Sequence, residues 1–319
     1  MTQQPLKVSG NETVQDGVTN VSLPPEPVFI DSPKPLWLIY AGMLLGSRDT
    51  WKPGQQVPEI VYRQNNVRAD KQSVAAYRLL CGEGAALRLP PIYPHIMATP
   101  LQMNLLESDD FPLNLAGLVH LGQDIEWHAE LPLDTGIDMI CRIQGPVESA
   151  RGWEFELLTD ALHKGELAWR ERLVFLKPDP KKRARPRVKR RGEGDAVHFQ
   201  PLLHMQFPED TGRRYARISG DWNPIHLWPF LARRFGFRKP IAHGMYTLAR
   251  CLSVLEARGV DLVGKRLTAT FRAPVMLPAF TNFCLNDREA ERHFALTDAR
   301  KGRILVEGRI EEIRLKAKD

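Results

Sequence analysis

The feature that most constrains this chain is that it reads twice. Tyr77-Arg-Leu-Leu-Cys-Gly-Glu83 and Tyr215-Ala-Arg-Ile-Ser-Gly-Asp221 place a tyrosine, a glycine and an acid at matching positions. The landmarks continue in the same order, at an offset of roughly 140 to 150 residues, as an internal repeat does. Pro94-His95-Ile96-Met97 echoes His243-Gly244-Met245, and each opens a helical run. Met97, Leu101 and Leu105 mark the first run, with Pro100 placed in its first turn, where a missing N–H costs little. Met245, Leu248, Leu252 and Leu255 mark the second, from His243 to about Arg258.

Beyond each helix comes strict alternation, the mark of a half-buried strand. Ile125, Trp127, Ala129 and Leu131 alternate with Glu126, His128 and Glu130, and Leu267, Ala269, Phe271, Ala273 and Val275 alternate with Thr268, Thr270 and Arg272. Further strands are expected over 138–143, 153–158 and 167–175 in the first copy, and over 280–285, 293–297 and 304–313 in the second. Each half is expected to be one helix followed by an antiparallel meander. The halves should pack as a pseudo-dimer with their sheets joined edge to edge, because an open edge strand invites unwanted pairing.

The copies differ between the acid and the helix. Twelve residues separate Glu83 from His95, whereas twenty-two separate Asp221 from His243. The first copy therefore lacks Asn223-Pro224-Ile-His226 and the short helix expected over 227–235, with Pro229 in its first turn, and it has no catalytic histidine. Proline fixes its own φ and restricts the residue before it, so Asp221 and His226 should flank a rigid corner and converge on one point. A carboxylate and an imidazole at one point suit proton transfer near neutral pH. Ser219 and Asn223 are expected to brace the turn and Pro224 to stiffen it. Gly244, opening a helix, leaves its N–H unobstructed and is a candidate oxyanion donor.

Ser219-Gly220-Asp221-x-Asn223-Pro224-x-His226 followed by Pro240-Ile-Ala-His243-Gly244-Met245 resembles the signature of the MaoC-like dehydratases and (R)-specific (type 2) enoyl-CoA hydratases. The resemblance implies an α+β double hot-dog fold, two antiparallel sheets each wrapping a long helix, acting on acyl thioesters without a cofactor or metal. It implies Asp221 and His226 as the catalytic pair and the Gly244 amide at the thioester oxygen. It also implies that the degenerate N-terminal half makes room for a bulky acyl chain. Trp228-Pro229 departs from relatives, which often carry small or acidic residues after the histidine, and this concerns substrate fit more than chemistry. The reaction implied is reversible hydration of a trans-2-enoyl thioester to the (R)-3-hydroxyacyl thioester, with Asp221 assigned to the water and His226 to the carbon proton. The alternatives are a hot-dog thioesterase, recognised by release of free thiol, and a non-catalytic module binding acyl thioesters or nucleic acid.

The nucleic-acid alternative draws on the net charge of +6 and pI near 9.2, but that excess is local. The segment 177–191 holds nine basic residues, is broken by prolines, and lacks the interleaved aromatics of a base-stacking platform. It is expected to be a solvated linker, able at most to steer CoA phosphates or an acidic carrier protein, with no specific nucleic-acid partner. Arg233, Arg234, Arg238 and Lys239, beside the motif, are weaker candidates for CoA phosphates. His120 and His128 are expected to be surface or hydrogen-bonded residues, not metal ligands. Cys81, Cys141, Cys251 and Cys284 show neither metal-ligand nor disulfide spacing and are expected as buried free thiols. The start shows no secretion signal, and the apolar stretch 36–45 is too short to span a bilayer, so it is expected to be a buried helix in a cytoplasmic protein. The division expected is a flexible arm over 1–34, a degenerate half over 35–176, a basic linker over 177–194 and a catalytic half over 195–319. Acyl-chain length, carrier and further pairing into a homodimer are left open.

Overall fold

The computed structural model describes residues 26–45, 51, 52, 54–113, 118–179, 181, 182, 199–288 and 291–313. Most of the expected N-terminal arm and most of the basic linker lie outside the described residues. A two-residue strand, β1 (Val28–Phe29), and a helix, α1 (Leu36–Leu45), precede two runs of similar element order. The first comprises β2 (Val61–Val67), α2 (Lys71–Cys81), α3 (Tyr93–Leu106), β3 (Val119–Trp127), β4 (Ile137–Ser149), β5 (Gly152–His163) and β6 (Glu166–Pro178). The second comprises β7 (Gln200–Phe207), α4 (Thr211–Ser219), α5 (Pro229–Arg234), α6 (Gly244–Ala257), β8 (Lys265–Phe271), β9 (Ala279–Arg288), β10 (Glu291–Asp298) and β11 (Ile304–Glu312).

The eleven strands among the described residues form one sheet in the order β1-β2-β4-β5-β6-β3-β8-β11-β10-β9-β7. Omitting β1, the order is mirrored about its centre. In each half the strand after the long helix lies at the junction, and the chain then crosses to the far side and meanders back. The halves join edge to edge through β3 and β8, antiparallel, with Gly122 opposite Thr270 and Trp127 opposite Lys265. A Cβ on Gly122 would come within 2.9 Å of the Ala269 carbonyl oxygen, so a side chain there would push the halves apart. Glu126 faces Arg266 across the same joint, and Arg266 Nε donates to Glu126 Oε1 at 2.8 Å. The helix α3 packs on β2, β4 and β5, and α6 buries Leu248, Leu252 and Leu255 in one core with Leu267, Phe283 and Phe294.

The repeated tyrosine, glycine and acid acquire a physical meaning here. Gly82 and Gly220 end α2 and α4 in the left-handed conformation, φ 77° and 73°, where a Cβ is disfavoured. Tyr77 and Tyr215 are fully buried, and their rings lie 6.5 Å apart where α2 packs on α4.

Several expectations are corrected. Each half carries a leading strand and a short helix before its long helix, so "one helix then a meander" leaves out β2, α2, β7 and α4. The strand β3 stops at Trp127 because the His128 and Ala129 amides both turn to the Ala168 carbonyl, and Ala129 is exposed. Similarly, β8 stops at Phe271. Pro100 is interior to α3, which starts at Tyr93 and has Pro94 in its first turn. The helix α1 is only half buried: Ile39 and Tyr40 point inward while Trp37 and Leu38 are exposed. All four cysteines are buried free thiols, and no described helix is long and apolar enough to cross a membrane.

Candidate active site

The chain leaves α4 at Ser219, turns through Gly220 and reaches Asp221. The Ser219 hydroxyl donates to the Tyr215 carbonyl at 3.0 Å and accepts from the Asp221 amide at 3.2 Å. Asp221 Oδ1 accepts from the Asn223 amide at 3.1 Å and from the Tyr40 hydroxyl at 2.8 Å. Asn223 Oδ1 accepts from the Ile225 amide at 3.3 Å, and Pro224 begins a one-turn 3-10 helix ending at His226. A Cβ on Gly212 would overlap the His226 carbonyl oxygen, so the turn seats directly on the first turn of α4. Behind it, Pro240 to His243 is clamped on two sides. The Ile241 amide donates to the Ile225 carbonyl at 3.1 Å, and Ala242 N–H to Val275 and Leu277 N–H to Pro240 each measure 2.8 Å.

These constraints fix the protons as well as the positions. His226 Nδ1 lies 2.8 Å from the Ile241 carbonyl oxygen. A carbonyl only accepts, so Nδ1 carries the hydrogen and Nε2 is left with a lone pair in the neutral ring. Burial lowers the His226 pKa more than the Asp221 charge and the Ile241 carbonyl raise it, so the ring is a neutral base near pH 7. By the same reasoning His243 Nε2–H donates to the Asp221 carbonyl at 3.0 Å. Its ring stacks on His226 at 3.7 Å, and burial, with His226 beside it, pushes its pKa down to about 3. Burial alone would raise the Asp221 pKa. His243, His226, the Asn223 amide and the Tyr40 hydroxyl outweigh it and keep the carboxylate ionised. With Oδ1 holding two donors, Oδ2 is the oxygen left for chemistry; it lies 3.7 Å from His243 Nε2.

Gly244 is the first residue of α6, and its amide is among those a helix leaves unpaired. A Cβ there would come 2.9 Å from two atoms of the Phe271 ring, so glycine also lets that ring close against the helix start. These groups line a cavity of about 640 Å³ shared by both halves. Tyr40, Asp221, His226, His243 and Gly244 are in its wall, and Met103, Leu106, Leu157, Leu173 and Phe175 from the N-terminal half supply apolar lining.

The structure brings together Asp221, His226, Gly244, Ser219, Asn223 and Pro224, all in the cavity wall. It does not bring in Arg233, Arg234, Arg238 or Lys239. These are exposed, while Phe235 and Phe237 between them line the cavity. Trp228 is also outside: it lies under the Arg213 guanidinium at 4.0 Å, so its departure from relatives concerns the outer surface of the turn. Of the two alternatives expected, His120 is the hydrogen-bonded residue, its Nε2 3.0 Å from the Gly122 carbonyl oxygen. It lines the cavity between the Phe175 and Phe271 rings, at 5.3 and 4.9 Å, and burial pushes its pKa down to about 4. His128 is paired with Glu126 at 3.0 Å. Sequence reasoning missed Tyr40 and the role of His243. The latter stood within the motif, whereas nothing in the sequence tied α1 to a turn 181 positions away.

Asp221, His226 and His243 are also the described residues whose metal-ligating atoms cluster, all within 4.8 Å of one another. They suit a cation poorly. His243 commits Nε2–H to a carbonyl, and its Nδ1 is buried without a partner, so neither nitrogen offers a lone pair to the cavity.

Residues 186–305 match a family model described as a MaoC like domain. Over 256 residues the chain is 28% identical to 3-hydroxyacyl-thioester dehydratase X of Mycobacterium tuberculosis, covering 77% of this chain and 87% of that one. The crystal structure of HtdX from that organism superposes with a TM-score of 0.69 at 26% identity, over 79% of this chain and 100% of that one. A further Mycobacterium tuberculosis protein, described as having a double hotdog fold, aligns with a TM-score of 0.50 at 11% identity, over 84% of this chain and 98% of that one, a likeness of fold alone. Residues 186–305 are thus similar to a MaoC like domain, and the chain has the double hot-dog fold.

Proposed function

We propose that this chain is a hydro-lyase that interconverts trans-2-enoyl and (R)-3-hydroxyacyl thioesters. The observation that carries the reading is that hydrogen bonds occupy Asp221 Oδ1 and His226 Nδ1 and leave the companion atoms free, while the two side chains bring ligating atoms within 4.8 Å of one another in a cavity wall shared with Gly244, the first residue of α6. Similarity over most of the chain to a protein named as a 3-hydroxyacyl-thioester dehydratase supports it.

In the hydration direction one water sits between Asp221 and His226. As its oxygen bonds to C3, the C2–C3 π pair moves toward the thioester carbonyl, and the Gly244 amide stabilises the developing oxyanion. The water proton goes to Asp221 and passes across the pair to the bare Nε2 of His226, which delivers it to the α-carbon, so that both groups end as they began. Because the two groups are close, the titration belongs to the pair. Tyr40 keeps its own proton, held by burial and by the Asp221 charge, and so serves as a donor that fixes Oδ1. Dehydration is the reverse, with neutral His226 taking the α-proton. The carrier is CoA or acyl carrier protein.

The test is incubation with trans-2-enoyl-CoAs of graded length, following loss of the conjugated enoyl absorbance, free thiol, and the configuration of the product at C3. The expected result is (R)-3-hydroxyacyl-CoA with no thiol released. Thiol release without hydration would make the protein a thioesterase.

A further inference from the structure

The cavity has a second polar station, built entirely by the N-terminal half. His95, near the start of α3, lines the cavity, and its Nδ1 lies 2.9 and 3.0 Å from the two oxygens of Glu171 on β6. Glu171 is fully buried. It also accepts from the Gln102 amide at 2.9 Å and from the Gln123 amide, while Gln102 donates to Thr159 Oγ1 at 2.8 Å. Three side chains from α3 and β3 thus converge on one buried carboxylate in a half that lacks the catalytic turn. Burying such a carboxylate is expensive, and apolar residues of similar volume would serve packing as well.

With Nδ1 committed to Glu171, His95 presents Nε2 to the cavity. Burial opposes a charge on the ring, but Glu171, with the Asp221 charge adding to it, outweighs burial and raises the pKa, which extends to higher pH the form in which Nε2–H donates. Below this point His95, Thr99, Gln102, Met103 and Leu106 all line the cavity. Their spacing puts them on one face of α3, about 16 Å from end to end at 1.5 Å per residue. The lining therefore passes from polar to apolar along the helix, and the polar end is the one that feels the Asp221 charge, so an acyl chain leaving that group along the helix meets the polar part first.

We infer that His95, held by Glu171, is a specificity residue for acyl thioesters that carry a hydroxyl group on the chain beyond C3, with the remaining methylenes along Met103, Leu106 and Leu157. A hydroxyl can accept from Nε2–H and can donate to a bare Nε2, so it satisfies either form of the ring. A carboxylate fits worse, because Glu171 already neutralises an ionised His95. The inference rests on the acyl-thioester reading above.

Binding of saturated acyl-CoAs, which cannot turn over, tests it by calorimetry. Chains of equal length, either plain or with one hydroxyl, keto or terminal carboxyl group at successive positions from C5 outward, are compared on wild type, His95→Leu and Glu171→Gln, with circular dichroism confirming the fold. The expected result is at least tenfold tighter binding by wild type for one hydroxylated position over the plain chain, lost in His95→Leu and reduced in Glu171→Gln. If His95→Leu does not fold, His95→Asn supplies the same comparison. Wild type that binds plain chains with no hydroxyl preference, a preference unchanged in the variants, or a carboxylated chain bound as well as the hydroxylated one would overturn the inference and leave the hydro-lyase reading intact. Wild type that binds no acyl chain on either CoA or acyl carrier protein would remove both.

Discussion

Glu83 and Asp221 stand at the same place in the two halves, one residue beyond the left-handed glycine that ends a short helix, yet their surroundings are opposite. Glu83 is 2% exposed at its side chain and lies 3.5 Å from Arg78. Burial, followed by the Glu256 charge, raises its pKa to about 8. Asp221 lines the cavity with its pKa held low by two histidines and two hydrogen bonds. Three residues before the shared tyrosine, the N-terminal half has Val74, 2% exposed and packed in the core. The C-terminal half has Gly212, where a Cβ would strike the His226 carbonyl. One half fills with a side chain the space that the other fills with the turn bearing His226. On the proposed mechanism an acid in the right place is therefore not enough, and the turn that brings an imidazole to it is what distinguishes the halves.

The sharpest test of this contrast is His226→Ala, expected to lower kcat by at least ~10²-fold with the fold retained, the usual scale for a lost acid-base group. A rate within a fewfold of wild type would mean that the turn is only a bend. Next comes Gly212→Ala, which touches no reacting group but pushes the turn off α4. A displacement of about 1 Å can cost up to ~10²-fold, so a loss of at least ~10-fold in kcat is expected, larger than its change in KM. Tyr40→Phe removes one of the two donors to Asp221 Oδ1. The expected loss is smaller, on the order of 10-fold, and the Asp221 pKa rises because the Tyr40 bond lowers it.

The wild-type pH profile should reflect the low pKa of His226. Activity requires its neutral form, so kcat/KM should stay level as pH falls to the ordinary histidine value of about 6.5 and decline only below it. In Tyr40→Phe the acid limb should begin at higher pH. The smallest effect is expected from Glu83→Gln, in stability alone. A carboxyl whose folded pKa is raised contributes stability that is complete below its unfolded value near 4.5 and is lost as pH rises to about 8. The wild-type unfolding free energy should fall over that window and the variant's should fall less, the difference being on the order of 1–2 kcal/mol once Arg78 and relaxation are allowed for.

Much of this was legible in the sequence because the two copies could be read against each other. The ten-residue difference between Glu83–His95 and Asp221–His243 located the turn, and Asn223-Pro224 gave its shape. Alternation at Ile125 to Trp127 and Leu267 to Phe271 found the two strands that join the halves, since each buries one face. What escaped was contact between residues far apart in the chain. Tyr40 reaches Asp221 from a helix with no polar pattern. His95 stood out only as part of a repeat landmark and His120 only as a surface or hydrogen-bonded residue, because Glu171 and Phe271 meet them only after the strands pair. The strands β2 and β7 were missed for a related reason: they flank the sheet, and their burial patterns, mostly intermediate or exposed, carry no clear alternation.

The central claim, that chemistry belongs to one acid and not to its counterpart, is tested most directly by hydration rates of Asp221→Asn and Glu83→Gln on one enoyl-CoA in one assay, with circular dichroism as the check on folding. The expected result is a loss of at least ~10²-fold for Asp221→Asn and a rate within twofold of wild type for Glu83→Gln. Equal losses in the two variants, or no loss in Asp221→Asn, would contradict it.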